Sequence, residues 1–150
     1  MTMWVKVCGM TDEQAVAAAL AANADAIGFV FAPSVRRVEP ARARQLAQPA
    51  RGKASCVAVF LQPSVAALEA VLHEFDPDLV QLDHESLAEP AIAAALGARA
   101  VLPVLRDGRA LPADLPTRAL FEGAQSGTGR TADWDAARAL ASRTELLLAG

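Results

Sequence analysis

Seven short apolar runs, WVKVCG, AIGFVF, CVAVFL, LVQL, AVLPVL, ALFEG and ELLLAG, punctuate the chain. Their starts fall roughly 20–30 residues apart, the length of a strand, a helix and a return. Each run is nearly apolar throughout and rich in valine, leucine and phenylalanine, as parallel strands buried on both faces are. Helical segments fill most of the gaps. TDEQAVAAALAANAD reads as a helix with a Thr11–Gln14 capping box, Val16 stacked on Leu20, and Asn23 at a left-handed cap. Pro40 suits the first turn of EPARARQLAQ. Ser64 opens SVAALEAVLHEFD, where Val65, Leu68, Leu72 and Phe75 keep helical spacing. AEPAIAAALGA stops at Gly97, and DWDAARALAS starts at Asp133. Between Leu105 and Arg118 the chain is Gly/Pro-rich and reads as loop. Strands and helices in alternation define an α/β fold, either an open doubly wound sheet or a closed barrel. An eight-unit barrel typically needs about 200 residues. A barrel here is therefore expected to be incomplete, a single domain over residues 1–150 with seven strands and six helical or loop connections.

Net charge is −3, and no lysine–arginine run appears, which argues against nucleic acid or a membrane surface as partner. The start, MTMWVKV, lacks the pattern of a signal peptide, and no stretch approaches the ~20 apolar residues of a membrane span. A cytoplasmic location is expected. Two cysteines and two histidines are too few for a disulfide framework or a zinc cluster, so no metal is expected.

In the first strand Trp4, Lys6 and Cys8 share one face, and Val5 and Val7 share the other. Valines against a helix layer would turn Lys6 and Cys8 inward. An ammonium about 7 Å from a thiol favours the thiolate, while burial acts the opposite way. Gly9 then leaves room for a ligand to approach the backbone. On residue type alone, Cys8 would more often fill space than react; the inward lysine tips the reading toward chemistry. Glu122 ends the sixth strand on the face of Leu120, where barrel enzymes carry working groups. A thiol and a carboxyl at two strand ends can serve as base and acid. In AQSGTGRT, Gly127 and Gly129 flank Thr128 with Arg130 next, a loop suited to an anion, although a lone Gly-x-Gly is a weak signal. Arg36 and Arg37 lie in the loop after the second strand, on the same rim. QLDHES invites a Cys–His–Asp reading, but His84 has no evident route to Cys8.

In this order the pieces resemble the phosphoribosylanthranilate isomerase family, (βα)8 TIM-barrel enzymes of tryptophan biosynthesis. VKVCGMT is similar to the family's Lys-Ile/Val-Cys-Gly-x-Thr start, and ADAIGFVFAPSVRRVEPARARQL to its second strand, Ser/Arg loop and proline-led helix. VAVFLQPS, DLVQL and SGTGRTADWD are similar to its third strand, fourth strand and glycine loop, and LLLAG to the start of its seventh-strand motif. The resemblance implies a cofactor-free Amadori rearrangement of a phosphorylated sugar–anthranilate substrate. It assigns the general base to Cys8, the general acid to Glu122, and substrate contacts to Arg37, Gln81, Gly127, Thr128 and Gly129.

Four differences from the family pattern stand out. Glu122 stands where aspartate is usual, adding a methylene that shifts the carboxyl by about an ångström. Leu82-Asp83-His84-Glu85 replaces Leu-His-Gly-Glu, and Ser126 replaces the first glycine of its loop. The sequence stops at Gly150, short of the loops that hold phosphate in such barrels. A complete barrel is expected to be monomeric, whereas unpaired strand edges would favour association. Two alternatives stand beside the isomerase: an inactive partial barrel serving assembly or binding, and another phosphate-binding barrel isomerase or lyase.

Overall fold

The computed structural model describes residues 3–125 and 133–149. The strands are β1 (Lys6–Cys8), β2 (Ala26–Val30), β3 (Ser55–Val59), β4 (Leu79–Asp83), β5 (Val101–Arg106), β6 (Arg118–Glu122) and β7 (Glu145–Leu148). The helices are α1 (Glu13–Ala21), α2 (Pro40–Ala47), α3 (Val65–Glu74), α4 (His84–Leu87), α5 (Pro90–Leu96) and α6 (Trp134–Ala141), with a 3-10 turn at Gln48–Ala50. All seven strands pair in parallel and in sequence order, β1 to β7. They curl into part of a TIM-type barrel with the helices outside.

Side-chain alternation sorts the core into two layers. Ile27, Phe29, Cys56 and Ala58 face outward against Val16, Leu46, Leu68, Phe75 and Ile92 of the helix layer. Phe29 meets Phe75 edge to face, with ring centroids 5.1 Å apart. Burying each such ring contributes about 1.5–3 kcal/mol. Under α6 a second group forms from Leu105, Ala119, Phe121, Ala137 and Leu140. The inner face carries Leu102, Val104 and Leu120, with Leu79 and Leu147 packed against them. Strand parity then places Glu122, two residues beyond Leu120, on that inner face.

Most helix boundaries follow the punctuation of the sequence. Asn23 has φ 55 after α1, Pro40 opens α2, and the Ser64 hydroxyl caps α3 by accepting from the Ala67 N–H. Gly97 ends α5 at φ 59, and the Asp133 carboxylate caps α6. The cap of α1 is a correction: Asp12, rather than Thr11, accepts from the Ala15 N–H at 2.8 Å. A carboxylate there gains from the helix dipole, which a hydroxyl does not match. The short helix α4 was not foreseen in QLDHES. From Asp107 to Thr117 the chain joins β5 to β6 without a helix, as its composition indicated. No helix among the described residues is long and apolar enough to cross a membrane.

Candidate active site

Cys8 closes β1, paired in register with Gly28 of β2. A β-carbon built on Gly28 would lie 2.9 Å from Cys8 Sγ and 3.3 Å from Val59 Cγ2. The thiol therefore occupies the volume a side chain at 28 would need, on the inner face. Val7 packs against the helix layer, so the alternation read from the sequence holds here. Cys8 itself is exposed. Gly9 follows at φ 90, a conformation that favours glycine. A β-carbon at that position would meet Arg36 Cδ at 2.5 Å, so the Arg36 stem lies across the backbone beside the thiol.

Cys56 is the other cysteine, and it lies in the helix-facing layer with no exposed surface. Burial pushes its thiol up to about 11. Alkylation of the native chain near pH 8 is expected to mark Cys8 alone, and both thiols after denaturation. Mass spectrometry of the adducts checks this; a doubly modified native chain would contradict the packing around Cys56.

Across the inner face stands a buried charged group. Arg106 ends β5 and is 5% exposed. Its Nε–H donates to Asp83 Oδ1 at 2.8 Å, and its Nη1 lies 2.7 Å from Glu122 Oε1. Asp83 and Glu122 close β4 and β6, so three neighbouring strands end in one ionic cluster. Asp83 Oδ2 is buried without a hydrogen-bond partner, as is Oε1 of Gln81 two residues earlier on the same strand. Two such acceptors suit incoming donors such as hydroxyl groups.

The relation between the two sides comes from the other end of the barrel. Trp4, just before β1, lies beneath the Arg118 guanidinium at 5.6 Å from the ring centroid. Arg118 opens β6. Cys8 is four residues beyond Trp4 and Glu122 four beyond Arg118, with both strands running the same way. Four residues of strand rise about 13 Å. The thiol and the carboxyl thus both lie toward the carboxyl ends of their strands, four residues beyond that contact.

Arg36 and Arg37 are both exposed on the rim. Arg37 is exposed and pairs with Glu39 at 3.5 Å, while Arg36 lies over Gly9. His84 turns Nδ1 toward Glu85 Oε2 at 3.2 Å and makes no triad with Cys8. Burial pushes the Glu85 carboxyl up, but its backbone hydrogen bond, His84 and Arg109 together hold it below the usual range. Gly127, Thr128 and Gly129 lie outside the described residues. No group of three or more potential metal ligands occurs among the described residues. Arg106 was missed in the sequence, although a charged residue closing the run AVLPVLRD at the parity of Leu102 and Val104 was a usable signal.

The fold and these groups define a class: a TIM-barrel-type α/β protein with its ionisable side chains at the carboxyl ends of the strands. Residues 5–150 match the family model for N-(5'-phosphoribosyl)anthranilate (PRA) isomerase, and the chain belongs to that family. A relative so named from Mesorhizobium japonicum is 44% identical over 71% of this chain and 48% of its own length. Another, from Listeria monocytogenes, is 34% identical over 99% of this chain and 77% of its own. The chain thus spans about half the length of the first of these curated relatives. The solved phosphoribosyl anthranilate isomerase of Thermus thermophilus superposes with a TM-score of 0.84 at 30% identity, over 99% of this chain and 76% of that one.

Proposed function

We propose that the chain performs the isomerisation for which its family is named, converting N-(5'-phosphoribosyl)anthranilate to the 1-deoxyribulose 5-phosphate derivative in tryptophan biosynthesis. Glu122 donates a proton to the ring oxygen as the C1–O bond breaks, and the anthranilate nitrogen lone pair forms a cationic imine. That imine acidifies the neighbouring C2–H, and Cys8 removes the proton. The enolamine then loses its C2 hydroxyl proton and gains one at C1, leaving the ketone. Atoms balance without a cofactor or a metal. One observation carries this reading: a thiol and a carboxyl on the inner face at the carboxyl ends of their strands, each four residues beyond the contact of Trp4 with Arg118. Acid and base on opposite sides of one sugar are what the rearrangement requires.

Gln81, whose Oε1 is unpartnered, contacts the sugar hydroxyls. The anionic end of the substrate falls to Gly127, Thr128 and Gly129. Arg37 is the rim contact that the resemblance assigns, and the place of Arg36 over Gly9 supports a further contact from Arg36. A solved isomerase of the same fold, 21% identical, is in complex with reduced 1-(o-carboxyphenylamino)-1-deoxyribulose 5-phosphate, a ligand that contains both halves of the proposed product. Residues 1–150 act in this reading as one cytoplasmic unit.

Decay of anthranilate-linked fluorescence tests the proposal. The chain should accelerate it well above the spontaneous rate, and an unchanged decay would overturn the reading.

A further inference from the structure

We propose that Arg106 is a positioning residue, which anchors on the Asp83 carboxylate and holds the Glu122 carboxyl where its proton reaches the ring oxygen. The inference rests on the isomerase reading and adds to it a side chain that touches no reacting atom.

Burial is the first argument. Arg106 and Asp83 side chains are 5% and 2% exposed, and Glu122 is 12% exposed. Placing a guanidinium there is expensive, and an apolar residue would serve a fold at least as well. Apolar neighbours are at hand: Leu102, Val104 and Leu120 fill the same face just below.

Geometry is the second. Arg106 reaches Asp83 through Nε and Glu122 through Nη1, so two carboxyl groups on either side are set by one rigid plane. Arg106 and Glu122 are register partners on adjacent strands. A glutamate carboxyl lies at the end of three torsions, and a misplacement of about 1 Å costs on the order of 10²-fold in rate. The 2.7 Å contact removes that freedom.

Asp83 supplies the third argument. One of its oxygens binds Arg106, while the other is buried without a hydrogen-bond partner. A carboxylate kept only to stabilise the fold would have both oxygens satisfied. Its arrangement instead serves the arginine.

The test uses the whole chain with Arg106→Lys, which keeps the charge and loses the planar fork, and Asp83→Asn, which loosens the anchor should the first variant fold poorly. Each is expected to lower kcat about 10- to 100-fold with KM within about threefold. In a Glu122→Gln background the same changes should lower kcat no further, since the donor they position is gone. A loss of equal size in both backgrounds, or a rise in KM at constant kcat, would assign Arg106 to folding or ground-state binding and overturn the proposal. Crystals of Arg106→Lys give a readout independent of turnover. Displacement of the Glu122 carboxylate by more than about 1 Å supports positioning, and an unmoved carboxylate overturns it. A wild-type chain without turnover whose variant still shows the displacement would sink the isomerase reading alone.

Discussion

Replacing Cys8 by alanine is expected to lower turnover by about 10²- to 10⁴-fold, the usual contribution of a positioned general base. The melting temperature should hardly move, because the thiol is exposed and its neighbour Gly28 has no side chain to lose a contact. Alanine keeps the β-carbon and vacates only the sulfur's place. KM should change little, since the sulfur acts on the C2 proton rather than on bound hydroxyls or phosphate. Loss of anthranilate fluorescence, followed over a range of substrate concentrations, separates kcat from KM. Wild-type rates in the variant would remove the thiol from the mechanism and return Cys8 to a space-filling role.

The second large effect belongs to Glu122→Gln. An amide oxygen can still accept from Arg106 Nη1, so the contact now at 2.7 Å survives in weaker form. Asp83 continues to neutralise the guanidinium at 2.8 Å. The stability loss should therefore stay within about 1–3 kcal/mol, the range for one charged hydrogen bond weakened. Turnover should fall about 10²- to 10⁴-fold, because an amide has no proton to deliver to the ring oxygen. Thermal melts and initial rates on the same preparation make the comparison. A variant that loses stability while keeping its rate would show Glu122 to be a partner of Arg106 and nothing more.

These expectations treat the two faces of β6 differently, and the structure explains why. Phe121 faces α6, whereas Leu120 and Glu122 face inward. A one-residue slip of β6 would place the carboxyl among Ala137 and Leu140. Register fixes chemistry here as firmly as it fixes packing.

Much of the architecture was legible in the linear chain because its signals are local. Apolar runs at strand length, Pro40 at a first turn, Ser64 and Asp133 at amino caps, and Asn23 and Gly97 at carboxyl ends act within a few residues of themselves. Alternation along single strands likewise placed Cys8 and Glu122 on the inner face. Even local reading failed where two groups compete for one role, as when the Asp12 carboxylate displaced Thr11 at the start of α1.

What the sequence by itself determined, then, was the order of strands and helices and the two groups proposed as base and acid. Tertiary structure alone decided that Arg36 lies over Gly9, that Arg106 joins Asp83 to Glu122, and that Trp4 meets Arg118. The physical reason is distance along the chain. Those contacts link residues from 16 to 114 positions apart by number, and they depend on strand register and on the curl of the sheet, which no short window of sequence encodes.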